Sequence, residues 1–178
     1  MKYYYALTVI GKDRPGIVAN VAKVLYELDF NIEDSSSTLL KDQFSMILII
    51  SNTSQMSLLE LKKAFASVRK NLHLSISARQ IDALDQPLKK VKKHMISIYG
   101  SDKPGIVYKV TQALCDLNIN IVDLKTRVSG SKKDIYIMIL EVEVPIDVNI
   151  SSVNNTISTI SKEMDVDFSI RPIESYSI

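Results

Sequence analysis

Apolar residues along this chain fall into two rhythms, one of strands and one of helices, and their order occurs twice. From Tyr3 to Ile10, aromatic and β-branched residues crowd a short stretch ending at Gly11, which predicts a strand. Ile17, Val18, Val21, Leu25 and Leu28 then recur three and four residues apart, the spacing of one helical face. Pro15 suits the first turn, where its missing N–H would be unpaired in any case. Asn31 to Leu40 reads as a second strand, Lys41-Asp42-Gln43 as a polar turn, and Phe44 to Ile50 as a third strand. Ser57 and Glu60 have the spacing of a capping box. Beyond them, Leu58, Leu61, Phe65, Val68 and Leu72 predict the buried stripe of a second helix. Leu74 to Ile81 closes the unit as a fourth strand.

The plan then repeats. Met95 to Tyr99, Ile119 to Val128, Asp134 to Val144 and Val166 to Ile173 read as strands. Ile106 to Leu117 and Val153 to Met164 read as helices, with Ser129-Gly130-Ser131 as a turn. The repeat is visible in the letters themselves. Gly11-Lys12-Asp13-Arg14-Pro15-Gly16-Ile17-Val18 returns as Gly100-Ser101-Asp102-Lys103-Pro104-Gly105-Ile106-Val107. Asn31-Ile32 and Asp34 return, in the same register, as Asn120-Ile121 and Asp123. A period this long is not that of a solenoid; it marks two copies of one small domain. The order β-α-β-β-α-β, twice, is the ferredoxin-like plan, an α+β fold whose helices cover one face of an antiparallel sheet. The expected division is a first domain at 1–84, a linker at 85–93 and a second domain at 94–178.

Composition narrows the function. With 178 residues and 46% apolar content, two small cores are affordable. A formal charge of +2 gives no electrostatic reason to expect nucleic acid. The run Lys89-Lys90-Val91-Lys92-Lys93 reads as a solvated linker. Cys115, the single cysteine, is expected to be a small buried hydrophobe on a helical face. With no leader-like start and no apolar run long enough to span a bilayer, a cytoplasmic protein is expected. His73 and His94 lack metal-ligand spacing, Ser35-Ser36-Ser37 has no partnering base, and no cofactor or nucleotide fingerprint occurs. No cofactor and no enzyme activity are expected. Strand alternation should bury at least one of Tyr3, Tyr4 and Tyr5.

The repeated Gly-x-Asp-Arg/Lys-Pro-Gly-Ile-Val loop, followed by Asn-Ile-x-Asp at the second strand, resembles the ACT domain. That family comprises small βαββαβ modules that sense amino acids. The tandem layout resembles the glycine cleavage system transcriptional repressor family. On the residues alone, Gly11 and Gly100 would let the chain turn out of the strand. Gly16 and Gly105 would bring bare backbone to a helix start that favours a carboxylate, with Ile17 and Ile106 following. Asp13 and Asp102 would accept from an ammonium, or would simply cap the helix. The resemblance adds Asn31 and Asn120 as ligand contacts and places the ligand between two copies. It implies a small amino acid, glycine first, a LysR-type activator as protein partner, a homodimer, and no direct contact with DNA or membrane. A regulatory subunit docking onto a metabolic enzyme, or a ligand-free dimerisation module, are the alternatives.

Overall fold

The computed structural model describes residues 2–82, 90–129 and 135–173. It divides into two compact units, within residues 1–86 and 87–178. The first runs β1 (Tyr3–Lys12), α1 (Ile17–Glu27), β2 (Asn31–Leu40), β3 (Gln43–Asn52), α2 (Leu58–Ala64), α3 (Ala66–Leu72) and β4 (Ser75–Ile81). The second runs β5 (Val91–Ser101), α4 (Ile106–Asp116), β6 (Asn120–Ser129), β7 (Ile135–Pro145), α5 (Ile150–Met164) and β8 (Val166–Pro172). Each unit has one antiparallel sheet, ordered β2-β3-β1-β4 and β6-β7-β5-β8. This is the tandem ferredoxin-like architecture that the patterning predicts.

Alternate residues of the central strands meet one helical stripe. Tyr5, Leu7 and Val9 of β1 pack with Ile17, Val21 and Leu25 of α1 and with Leu61 and Phe65. Ile96 and Ile98 of β5 pack likewise with Ile106, Val110 and Leu114 of α4 and with Val153 and Ile157 of α5. Of the three tyrosines, Tyr5 is fully buried, and its hydroxyl donates to Met56 O and accepts from Met56 N, both at 2.9 Å. The capping box forms, with the Ser57 hydroxyl accepting from Glu60 N and the Glu60 carboxylate accepting from Ser57 N. Helical turns end on left-handed residues Asp29, His73, Asn118 and Asp165, mostly the short polar types that tolerate this conformation.

Several expectations need correction. The predicted second helix is interrupted at Phe65, yet Phe65 N still donates to Leu61 O and Arg69 N to Phe65 O, so the hydrogen-bond ladder carries through. Leu58 stays exposed because it precedes the turn that reaches the core. Cys115 is exposed: it follows buried Leu114 by one residue, about 100° around the helix. The basic run is not all linker. Val91, Lys92 and Lys93 belong to β5, where Lys93 pairs with Glu141 at 3.0 Å, while Lys89 lies outside the described residues. Lys92 and Lys93 are consecutive and both exposed, and the buried–exposed alternation of the strand sets in only at His94. Gly130, Ser131 and Asp134, expected in a turn and at a strand start, also lie outside the described residues.

Gly11 and Gly100 are not turn residues but sit inside β1 and β5. A Cβ at Gly11 would come within 2.6 Å of Leu74 Cδ2. One at Gly100 would lie 2.9 Å from Val166 Cγ1 and 3.0 Å from Val166 Cα. These glycines let the last strand of each module start against the first.

Candidate functional site

The repeated loop leads from β1 into α1, and from β5 into α4, through a left-handed glycine. Gly16 has φ +95° and Gly105 φ +98°, conformations that a side chain would strain. Each glycine is the N-cap, no side chain caps either helix, and no acid occupies either first turn. Asp13 and Asp102 therefore do not cap. Asp13 is exposed, and its own N–H donates to Asp42 O at 2.8 Å, which fixes the loop against the β2–β3 turn. Asp102 is also exposed. Ile17 and Ile106 are core residues, 2% and 1% exposed, so only their backbone can face a ligand. In the second module Lys103 reaches Met164 O at 2.9 Å, holding the loop to the end of α5.

Asn31 and Asn120 lie at the other end of their sheets. Asn31 stands in the row Tyr4–Ser51–Asn31, whereas the loop leaves from the row Lys12–Gln43–Leu40. Eight residues of β1 separate those rows, about 26 Å of strand. The second module repeats this, with Asn120 beside Glu143 and Lys93, and Ser101 at the loop end. Within one module, loop and asparagine cannot touch the same small molecule. The structure brings together Gly16 with Asp13, and Gly105 with Asp102, but neither pair with its own asparagine.

Each asparagine keeps company with a carboxylate. Glu33 accepts from the Ser51 hydroxyl at 2.5 Å and from Lys2 Nζ at 2.9 Å. Ser51, Lys2 and Asn31 together pull its carboxyl from the usual 4.5 down to about 2. In the second module Asn120 Nδ2 donates to Glu143 Oε2 at 3.2 Å.

The sequence reading missed Tyr136. It pairs with Gly100 across β5 and β7, is 7% exposed, and its hydroxyl has no hydrogen-bond partner among the described residues. Burial, with Asp102 nearby, pushes the phenol above its ordinary 10. The first module has Phe44 at this place, opposite Gly11. Only the strand register makes the two positions equivalent, because β7 is offset differently from the loop repeat.

The ACT domain model matches residues 4–79 and 93–171. The chain belongs to the ACT-domain family. Its two ACT modules are each the size of a smaller relative. A UPF0237 protein of Streptococcus mutans is 34% identical over 79 residues, 44% of this chain and 90% of the relative. One from Neisseria meningitidis is 42% identical over 71 residues, 39% of this chain and 79% of the relative. Both ACT modules together match solved structures. A protein of unknown role from Galdieria sulphuraria covers 98% of this chain and 100% of its own, with TM-score 0.82 and 24% identity. A candidate glycine cleavage system transcriptional repressor covers 98% and 99%, with TM-score 0.76 and 18% identity. These likenesses establish the tandem ACT fold. Among the described residues, no group of three or more His, Cys, Asp or Glu is placed to hold a metal, and no helix is long and apolar enough to cross a membrane.

Proposed function

We propose that this protein is an amino-acid-responsive regulator of the glycine-cleavage-repressor type, acting through a protein partner and without a catalytic site of its own. The observation that carries this reading is the pair of uncapped helix starts at Gly16 and Gly105. Their free N–H groups and the positive end of the helix dipole suit the carboxylate of a free amino acid. The orphaned hydroxyl of Tyr136 makes the second loop the better of the two.

Loop and asparagine lie about 26 Å apart along a strand, so a ligand touching both needs one module's loop and another module's asparagine. Gly11, Asp13, Gly16, Ile17 and Asn31, with Gly100, Asp102, Gly105, Ile106 and Asn120, would contribute to such sites, the isoleucines through backbone alone. Binding would then favour one arrangement of modules, and with it one affinity for the partner, by linkage. A LysR-type activator is the partner that the family resemblance suggests, and glycine the first ligand to try. The fully exposed β2 supports a homodimer, since an unpaired edge strand of ten residues invites a second copy.

Thermal unfolding against each free amino acid, glycine and serine first, tests the reading. A ligand bound only by the native state stabilises it by about 2.7 kcal/mol at a hundredfold excess over its Kd. A shift with glycine supports the assignment. A shift with another amino acid keeps the sensor and discards glycine. No shift at millimolar concentrations removes the sensor and leaves a dimerisation module.

A further inference from the structure

The second module carries an open cleft of about 640 Å³ at the end of its sheet remote from the Gly105 loop. Val91, Ile119, Ile121 and Pro145 give it apolar walls, and Asn120, Glu143 and Lys90 give it polar ones. Glu143 is half-buried, with one carboxylate oxygen accepting from Asn120. Lys93 stands opposite Glu143 in the sheet, but its ammonium is bonded to Glu141 at 3.0 Å. Lys90 lines the cleft and makes no ion pair within 4.0 Å among the described residues.

The first module supplies the comparison. There the carboxylate beside the second-strand asparagine, Glu33, is already met by a primary ammonium, Lys2 Nζ at 2.9 Å. The sequence repeat puts Val91 where Lys2 stands, so the second module has no ammonium hydrogen-bonded to Glu143 among the described residues, Lys93 acting on it by charge alone, and it offers a cleft instead. We propose that the Asn120–Glu143 cleft binds a small molecule bearing a primary ammonium on a short apolar body, and that Lys2 fills the corresponding place in the first module. The ammonium donates to Glu143 and to the Asn120 side-chain carbonyl, and the apolar body lies on Val91, Ile121 and Pro145. Lys90 adds a contact if the ligand also carries a carboxylate. The site lies within one module and needs neither the loop nor a second copy.

Two sources share this chemistry, an amino acid and a simple amine. Isopentylamine, L-leucine and N-acetyl-L-leucine separate them, the second adding a carboxylate to the first and the third losing the ammonium. The readout is the side-chain amide resonances of Asn120 and Asn31, and the backbone amides of Gly16, Ile17, Gly105 and Ile106, in the full chain. The expected result is movement of Asn120 with isopentylamine and leucine, tighter for leucine if Lys90 takes part. Asn31 should stay silent, and N-acetyl-leucine should have no effect. Glu143→Gln keeps the shape and should weaken binding about tenfold or more, since a hydrogen bond to a charged group is lost. An Asn120 signal unmoved by isopentylamine at tens of millimolar overturns the proposal. So does equal binding of N-acetyl-leucine, or a Glu143→Gln variant that binds like wild type. Movement confined to Gly105 and Ile106 overturns it too, while supporting the loop reading. Movement at Asn120 with Gly16 and Gly105 both silent does the reverse.

Discussion

The two modules share an architecture and a loop, and they differ in how each resolves the same polar problems. In the first, the carboxylate near the second-strand asparagine comes from β2 as Glu33, with Ser51 opposite on β3. In the second it comes from β7 as Glu143, and Val122 takes the place of Glu33 in the repeat. The first module closes its carboxylate with Lys2; the second leaves a cleft. At the loop end the order reverses. The first module has an apolar Phe44, and the second has at Tyr136 a buried hydroxyl with no partner among the described residues. A polar group left unpaired in the interior costs stability unless something outside the chain satisfies it. At these two places the first module satisfies itself and the second leaves room for a ligand, although the first also buries Arg69 Nε without a partner among the described residues.

The sharpest way to break the comparison is at the paired strand glycines. Gly100→Ala drives a Cβ against Val166 Cα at 3.0 Å and Asp165 O at 3.2 Å, both backbone. Gly11→Ala meets mainly the tip of Leu74, which can turn away. Overpacking of this kind costs about 1–3 kcal/mol, and we expect Gly100→Ala at the upper end and Gly11→Ala at the lower. Amide hydrogen exchange resolved by module would show it, and an equal loss in both would mean that the strand starts yield alike.

Next in size is Tyr136→Phe, which gives the second module the residue of the first. Without ligand it should stabilise the second module by about 1 kcal/mol, by removing an unpaired buried hydroxyl. With an amino acid bound at the loop, the gain should shrink or reverse. Calorimetry with and without ligand checks both signs. A destabilised apo variant would show that the hydroxyl is already satisfied in solution.

These asymmetries explain what could be read before the fold was known. Strands and helices came through because apolar spacing is imposed by burial, and the repeat located both loops at once. Ser57 and Glu60 were legible because a capping box is local. Gly11 and Gly100 are expected from the sequence to turn the chain out of the strand, yet they sit inside β1 and β5, because the neighbours that demand a glycine there, Leu74 and Val166, lie far along the chain. Cys115 was misjudged by one helical step. Val91 to Lys93 was hidden because two consecutive exposed lysines break the alternation, which sets in only at His94. Tyr136 was invisible because its equivalence to Phe44 exists only in strand register, and so was the separation of Asn31 and Asn120 from their own loops.

The smallest effect expected is confined to acid, and it tests whether Ser51, Lys2 and Asn31 hold the Glu33 carboxylate in its charged form. Glu33 titrates at about 2 in the fold and near its usual 4.5 when unfolded, because Ser51, Lys2 and Asn31 favour the charged form. A depressed carboxyl contributes stability that is complete above the unfolded value and is lost as pH falls through the folded one. The first module should therefore weaken as pH drops from about 4.5 to 2, and Glu33→Gln should flatten that slope. Asp42 and Glu60, also held below their ordinary range by Gln43 and Ser57, would leave a residual slope in the variant. The second module has Val122 at this position and should respond to acid the same way in both proteins. Acid unfolding followed at module-specific amides measures the difference directly. If wild type and Glu33→Gln lose stability in parallel, Lys2 is not holding the carboxylate, and the contrast with the open Asn120–Glu143 cleft loses its foundation.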